Sequence, residues 1–173
     1  MDNGRLCLGA DGGGTKTLGI LAGEDGRELA SVRVGATNPN VVGVAGAAGQ
    51  LATLILESCS AAGVAPEAIG AAVFGLAGAG TSTVKEQLAA TLAAEAQKRG
   101  FVLPRVRFET DARIALEGAF GGDPGIIVIA GTGSAVLGKS PEGGIRLVGG
   151  WGRTLGDEGS GYAIGLEALR AVT

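Results

Sequence analysis

Residues 5–22 read RLCLGADGGGTKTLGILA, and this stretch decides the fold. The apolar run Arg5–Ala10 predicts a buried strand, and Thr17–Ala22 predicts a second strand. The segment between them, Asp11–Lys16, is rich in glycine and predicts the tip of a hairpin. The sequence therefore predicts that the chain opens on a β-hairpin whose tip has unusual backbone freedom.

The tip of this first hairpin has the chemistry of a phosphate site. Consecutive glycines let backbone N–H groups turn inward as an anion-binding nest, to which a hydroxyl and a cation are added. Asp11, at the carboxyl end of the strand, is a candidate to hold Mg²⁺ through water. A plain glycine-rich hairpin with a surface aspartate is the alternative for this motif alone. The candidate phosphate-binding residues are Gly12, Gly13, Gly14, Thr15 and Lys16.

The opening plan recurs after the glycine-rich junction at 121–125. Predicted strands at Ile126–Ala130 and Ala135–Gly138 flank a second tip, and a third strand is predicted at Ile145–Val148. We interpret this recurrence as an internal duplication whose second copy is incomplete. Two matching glycine–hydroxyl hairpins could bind a triphosphate from both sides, which is the strongest functional signal in the chain. The residues of the second tip are Gly131, Thr132, Gly133 and Ser134.

The remaining periodicity completes a first lobe with the order βββαβαβα, an α/β pattern whose sheet is partly antiparallel. A capping box of Thr83 and Glu86 predicts the start of the second helix, and Gly100 predicts its end. We divide the chain into domains at 1–120 and 121–173, with a last helix from Ser160 onward. The other elements are predicted at Glu28–Val34, Val41–Ala62, Ile69–Phe74, Val84–Arg99, Val106–Glu109 and Ala112–Phe120.

Asp111 follows a predicted strand and begins a helix. An aspartate there can simply cap the helix. Ligands of α/β sheets, however, bind at the carboxyl ends of the strands. A carboxylate at that edge can accept the proton of a hydroxyl that attacks phosphorus. We therefore favour Asp111 as a general base.

The segments Gly149–Gly152 (GGWG) and Gly156–Gly161 (GDEGSG) bring the only tryptophan and two acids into one glycine-rich stretch. Glycines around a bulky ring allow a ligand to approach closely, which favours a substrate or metal role. The alternative is a core tryptophan followed by the acidic first turn of a helix.

Residues 133–140 match the letters of a P-loop, GSAVLGKS. A P-loop follows a strand and opens a helix. Here the middle residues are strand-like, and Pro141–Gly144 predicts a turn. We interpret the match as coincidence.

Composition excludes several classes of function. The 173 residues carry a net charge of −3 without a basic run, which argues against a nucleic-acid partner. The absence of histidine excludes Ser-His-Asp and Cys-His catalysis and all histidine metal sites. Cys7 and Cys59 are expected to be buried thiols. We find no signal peptide and no apolar stretch of about 20 residues, so we expect a soluble, cytoplasmic protein without a membrane partner.

Taken together, six segments resemble the N-acetylglucosamine kinase and BadF/BadG/BcrA/BcrD ATPase family, in order and over essentially the whole chain. Each is modest alone, but the combination is specific. They are Asp11–Thr15 (DGGGT), Thr37–Asn38, Thr110–Ala112 (TDA), Gly131–Ser134 (GTGS), Gly149–Gly152 (GGWG) and Gly156–Ser160 (GDEGS).

The resemblance implies an α/β protein of the ribonuclease-H-like actin/hexokinase/Hsp70 fold, a mixed sheet with helices on both faces and an incomplete second lobe. It implies ATP with Mg²⁺ and phosphorylation of a sugar hydroxyl, giving a 6-phosphate of N-acetylglucosamine or glucosamine. By motif, Asp111 would be the general base. Asn38, Trp151 and Asp157 would lie near the sugar, and the two hairpins near the phosphates.

Three departures from the family pattern matter. Ala77 and Ala79 stand where sugar kinases often have serine, which leaves the identity of the sugar open. Neither cysteine matches those that hold an iron–sulfur cluster in the related activator ATPases. The adenosine-binding segment is expected beyond residue 173, so the chain is expected to be part of a longer protein and inactive by itself. A partner-driving ATPase and a non-catalytic sugar-binding module are the alternatives, and a homodimer is left open.

Overall fold

The computed structural model describes residues 6–173, and the predicted strand start at Arg5 lies outside them. The described residues form two compact units, one that ends at Asp111 and one from Ala112 to Thr173. This division falls at the start of the third helix, whereas the sequence-based domain division places that helix in the first lobe.

The elements within residues 6–120 have the predicted order. A five-stranded sheet with the order β3-β2-β1-β4-β5 is antiparallel between β1, β2 and β3 and parallel between β1, β4 and β5. The strands of the first hairpin, β1 and β2, therefore belong to a mixed sheet, as the sequence predicts. The elements are β1 (Leu6–Gly12), β2 (Thr17–Ala22), β3 (Glu28–Val34), α1 (Pro39–Ala62), a short 3₁₀ turn (Pro66–Ala68), β4 (Ile69–Leu76), α2 (Ser82–Arg99), β5 (Arg105–Glu109) and α3 (Asp111–Phe120).

Helices α1 and α2 share one hydrophobic core with the sheet. Leu54 of α1, Leu92 of α2 and Phe74 of β4 are all fully buried in it. α1 is long and apolar enough to cross a membrane by length and composition, which the sequence analysis missed. Its buried face accounts for that composition, because this face lies in the core of the unit.

The start of α2 differs from the prediction. Thr81, not Thr83, is the N-cap, and its Oγ1 accepts a hydrogen bond from the Val84 N–H at 3.3 Å. The predicted capping box is therefore wrong by two residues. The predicted end at Gly100 is confirmed, since this glycine has the left-handed conformation that closes a helix.

The face of the sheet opposite α1 is partly open to solvent in the described residues. Leu18 and Ile20 of β2 and Val73 of β4 are each more than a third exposed there. Cys7 lies on β1 and is exposed, so the expected burial of this thiol is wrong, whereas Cys59 in α1 is buried as expected. Strand alternation is the reason, since Leu8 and Ala10 take the covered side.

The second unit repeats the opening plan. Its three strands form an antiparallel meander, β6-β7-β8, with the glycine-rich tip on the first hairpin. The P-loop-like letters fall on a strand and a turn, so no P-loop is formed. Lys139, the lysine of that pattern, binds Glu117 at 3.0 Å instead. The elements are β6 (Gly125–Ala130), β7 (Ser134–Lys139), β8 (Ile145–Gly149) and α4 (Gly161–Val172).

Candidate functional site

The first hairpin borders a cavity of about 250 Å³ in the first unit. The Gly13 N–H donates to the Lys16 carbonyl at 3.0 Å and closes the hairpin tip. The N–H groups of Gly14, Thr15 and Lys16 make no hydrogen bond within residues 6–173, so they remain donors for an anion. The residues that line the cavity are Asp11, Gly12, Gly13, Thr15, Lys16, Leu18, Arg33 and Asp111.

The segment Gly35–Asn38 holds the base of the first hairpin through hydrogen bonds. The Gly13 carbonyl accepts the N–H groups of both Thr37 and Asn38 at 3.1 Å. The buried hydroxyls of Thr17 and Thr37 lie 2.8 Å apart. A side chain at Gly12 would collide with the Thr37 hydroxyl and would lie 2.5 Å from the Leu76 side chain. Glycine is therefore required at position 12 by close packing, which makes the hairpin base rigid.

Asn38 has a structural task that the sequence did not reveal. Its Oδ1 accepts the Asn40 N–H at 2.9 Å and caps α1. This side chain also lies against the backbone of Gly78, where an added Cβ would meet Asn38 and Asn40. Asn38 does not line the cavity itself, but it lies directly after the residue that supports the hairpin.

Arg33 is a cavity residue that the sequence analysis missed. It pairs in register with Leu18, and Leu18 pairs with Asp11. Paired positions on adjacent strands point to the same face of a sheet, so Arg33 lies on the face that carries Asp11. No local motif marks Arg33, because only strand pairing brings it to the hairpin.

Two carboxylates and two cations therefore share this cavity: Asp11, Asp111, Lys16 and Arg33. Within residues 6–173 neither cation takes part in an ion pair. The formal charges of these four side chains balance, and the two cations are available to contact an anionic ligand.

The first cavity offers some, but not all, of the oxygen ligands that Mg²⁺ needs. Asp11 and Asp111 offer hard carboxylate oxygens, and Thr15 adds a hydroxyl. The described residues contain no group of three or more metal-ligating acidic, cysteine or histidine side chains. Mg²⁺ commonly binds through one or two carboxylates, with water and substrate phosphates completing its coordination. The cavity is compatible with that mode of binding.

Glu109 is the last residue of β5, two residues before Asp111, and it forms ion pairs with Lys85 and Arg107. Burial raises the pKa of the Glu109 carboxyl, but hydrogen bonds from Lys85 and Arg107 outweigh it and hold the pKa below its ordinary value. The Lys85 Nζ lies 2.9 Å from the Glu109 carboxylate and the Arg107 Nη2 lies 2.6 Å from it. Glu109 therefore remains ionised and fixes the end of β5, from which α3 and Asp111 follow.

The second hairpin is bound to the Gly156–Gly161 loop in the second unit. The Asp157 carboxylate accepts the Ser134 N–H at 3.0 Å. The Ser134 hydroxyl donates to the Glu158 carbonyl at 2.7 Å, and the Gly161 N–H donates to the Gly131 carbonyl at 2.8 Å. The structure thus brings the hairpin and Asp157 together.

A second cavity, of about 410 Å³, lies in the second unit beside this hairpin. Trp151 does not line it and is 75% exposed, so it is not the core tryptophan of the alternative interpretation. Its ring is free to stack on a ligand. The cavity is lined by Val128, Ile129, Ala130, Ser134, Ala135, Val136, Val148, Gly149, Glu158 and Gly159.

Comparison with protein families gives one match over nearly the whole chain. The model of the BadF/BadG/BcrA/BcrD ATPase family matches residues 8–173. All the hairpin, aspartate and tryptophan segments described above fall inside that range.

Curated relatives and solved structures agree with this match. The chain is 36% identical over 167 residues to the N-acetylmuramic acid/N-acetylglucosamine kinase of Clostridium acetobutylicum, covering 96% of this chain and 53% of that protein. It is 32% identical over 166 residues to the glucosamine kinase GspK of Vibrio cholerae, covering 95% and 53%. The chain spans about half the length of these relatives.

Among solved structures, a Chromobacterium violaceum protein provisionally designated an N-acetylglucosamine kinase superimposes with a TM-score of 0.74 at 33% identity. The match covers 97% of this chain and 56% of that one.

Proposed function

This chain belongs to the BadF/BadG/BcrA/BcrD ATPase family, and from that membership we propose that it is part of an ATP-dependent sugar kinase. The reaction transfers a phosphoryl group from ATP to a hydroxyl of an amino sugar, N-acetylglucosamine or glucosamine, and gives the 6-phosphate. The names of the two curated relatives support this substrate class. We place the enzyme in the cytoplasm.

One observation carries the proposal. The cavity of the first unit contains Asp111, Asp11, Lys16 and the glycine hairpin together. A phosphoryl-transfer site needs a base for the attacking hydroxyl and donors for the phosphate oxygens. This cavity combines both kinds of group.

In the proposed mechanism, Asp111 accepts the proton of the sugar hydroxyl as that oxygen attacks the terminal phosphorus of ATP. The bond between this phosphorus and its bridging oxygen breaks, and ADP leaves. Asp111 is suited to the task because it is exposed at the cavity and begins α3 after a fixed strand end. Positioning of the hydroxyl supplies a large part of the rate enhancement in such reactions.

The two hairpins bind phosphate groups in this proposal. The first hairpin, Gly12 to Lys16, offers the N–H groups of its last three residues and a cation, and the second hairpin, Gly131 to Ser134, offers the N–H groups of Thr132 and Gly133. Arg33 adds a further cation at the first hairpin. Asp11 would hold Mg²⁺ through water, and the ion would neutralise phosphate charge when bound.

We assign Asn38, Trp151 and Asp157 to the sugar side of the site. Trp151 offers an exposed ring face, on which the apolar face of a pyranose can stack. Asn38 and Asp157 each already make a hydrogen bond to the chain, so a sugar would bind through their remaining polar atoms.

The Asp111→Asn variant tests the proposal. The amide cannot accept the proton, so we expect kcat of the intact protein to fall about 10²- to 10⁴-fold. Binding of a non-hydrolysable ATP analogue should change little, as titration calorimetry would show. The matched control is Asp123→Asn, in an exposed turn of the second unit, which should keep wild-type turnover. Normal turnover in Asp111→Asn would rule out this residue as the base.

A further inference from the structure

Asp157 has an unusual backbone conformation. Its φ is 65°, and it is the only non-glycine residue with positive φ in the part of the chain that the structure describes. A left-handed conformation costs a non-glycine residue about 1 kcal/mol, although aspartate and asparagine tolerate it best. The side chain is also nearly buried, with 8% exposure. The conformation is therefore held by its surroundings.

Those surroundings are the second hairpin. Three hydrogen bonds join the Gly156–Gly161 loop to residues 131–134, and the one made by the Asp157 carboxylate reaches a backbone N–H of the glycine-rich tip. The approach is close, because a Cβ at Gly133 would lie 2.9 Å from the Asp157 carboxylate. A substitution at either position would displace the other.

The bond from Ser134 also indicates where an anion can bind. The Thr132 and Gly133 N–H groups make no hydrogen bond within residues 6–173, while the Ser134 N–H is taken by the carboxylate. The hairpin therefore has two free backbone donors, and Asp157 holds the third in place.

We propose that Asp157 is a positioning residue that fixes the second hairpin in its phosphate-binding conformation, so that the Gly156–Gly161 loop sets nucleotide affinity. This inference rests on the proposed function and extends it, because it gives Asp157 a task on the phosphate side of the reaction. Oδ1 accepts the hydrogen bond that holds the hairpin.

The acceptor oxygen of Asp157 and its negative charge have opposite effects on nucleotide binding. A carboxylate near phosphate oxygens repels them, so its charge cannot be what helps a nucleotide bind. Its contribution must come from the hydrogen bond that holds the hairpin. Asparagine keeps an acceptor oxygen and tolerates positive φ, whereas glycine tolerates positive φ but has no acceptor.

Two variants of the intact protein test this. In Asp157→Gly we expect the dissociation constant of a non-hydrolysable ATP analogue to rise about tenfold, the equivalent of one lost hydrogen bond. The Ser134 amide should also exchange its hydrogen faster, as NMR would show. In Asp157→Asn we expect nucleotide binding at least as tight as in the wild type and unchanged exchange at Ser134. Asp123→Asn should match the wild type in both measurements.

Three results would overturn the inference. The first is wild-type nucleotide affinity in a folded Asp157→Gly. The second is a loss of nucleotide affinity in Asp157→Asn, which would assign the effect to the charge of Asp157. The comparison of Asp157→Asn with the wild type remains decisive if Asp157→Gly does not fold. The third is a wild-type protein that binds no nucleotide, which would refute the proposed function as well. This third result is recognised because no variant binds the ATP analogue, while the exchange rate of the Ser134 amide still rises in Asp157→Gly.

Discussion

At the scale of single residues, the positive charge of the first cavity comes from Lys16 and Arg33. Neither side chain has an ion-pair partner among residues 6–173, although two carboxylates line the same cavity. Lys16 lies on the hairpin tip and Arg33 on the third strand, so the two cations approach a ligand from different elements. This arrangement suits a multiply charged anion such as a nucleotide phosphate.

We expect Arg33→Gln to raise the KM for ATP about tenfold and to leave the KM for the sugar unchanged, because an exposed charge-assisted hydrogen bond is lost. Arg33→Lys should recover part of the loss, since it restores the charge. Steady-state kinetics of the intact protein would measure both constants. Arg27→Gln, at the far end of the same strand pair, is the matched control and should behave as wild type. Equal increases in both KM values would contradict a phosphate role.

The residues of the candidate site divide by how they could be predicted. The glycine hairpins and Asp111 carry local signals, and each lies where its motif predicts, at a strand end or hairpin tip. Arg33 carries no local signal, because it reaches the cavity only through the register of three strands. The Asp157–Ser134 bond was also beyond prediction, since it joins positions 23 residues apart.

At the scale of elements, most bounds followed from apolar runs and glycine stops. β2 and β3 have the predicted ends, and α1 ends at Gly63 as predicted. The start of α2 was missed because Thr81 and Thr83 are both good capping residues, and only the backbone conformation decides between them. Cys7 was misjudged because a short apolar run does not reveal that one face of its strand is uncovered.

Glu109 joins two elements, and its ionisation gives stability a pH dependence. Its folded pKa lies below the ordinary value of about 4.3, so its stabilising contribution is complete above that pH and is lost as pH falls through the folded pKa. The bond to Lys85 links β5 to α2.

We expect the free energy of unfolding of wild type to fall more steeply between pH 6 and pH 3 than that of Glu109→Gln. At pH 6 the variant should be less stable by about 1–2 kcal/mol, because two cations lose their charged partner. Urea titration followed by far-UV circular dichroism would measure both. Glu86→Gln, exposed on α2, serves as the control and should retain the wild-type slope. Parallel slopes in wild type and Glu109→Gln would contradict the assigned role.

At the scale of the whole molecule, the two units differ in how much core they have. The first unit buries a continuous apolar cluster between the sheet and two helices. In the described second unit only Leu116 and Leu137 are buried apolar side chains, while Val128 and Val148 are more than half exposed. The second unit therefore has little core of its own for stability.

The α/β class was predicted from the order of strands and helices, and the ribonuclease-H-like fold was implied by the family resemblance. The mixed sheet with helices matches the fold of hexokinases and other actin-like ATPases, which confirms the predicted fold. The predicted helices on both faces are not seen in the described first unit, where α1 and α2 share one face of the sheet. The predicted domain division between residues 120 and 121 stays a prediction, and the two compact units divide along the chain at the start of α3. A glycine-rich junction signals a turn, but it does not reveal which unit a preceding helix packs with.

The activity to be tested is phosphoryl transfer from ATP to an amino sugar. The most direct test is ADP release by the intact protein with Mg²⁺ and ATP, with N-acetylglucosamine, glucosamine, glucose or no sugar. We predict rapid ADP release with one of the two amino sugars and a sugar 6-phosphate as the second product, identified by mass spectrometry and NMR. Equal slow rates with every sugar and without sugar would contradict the claim and would favour an ATPase that acts on a partner protein.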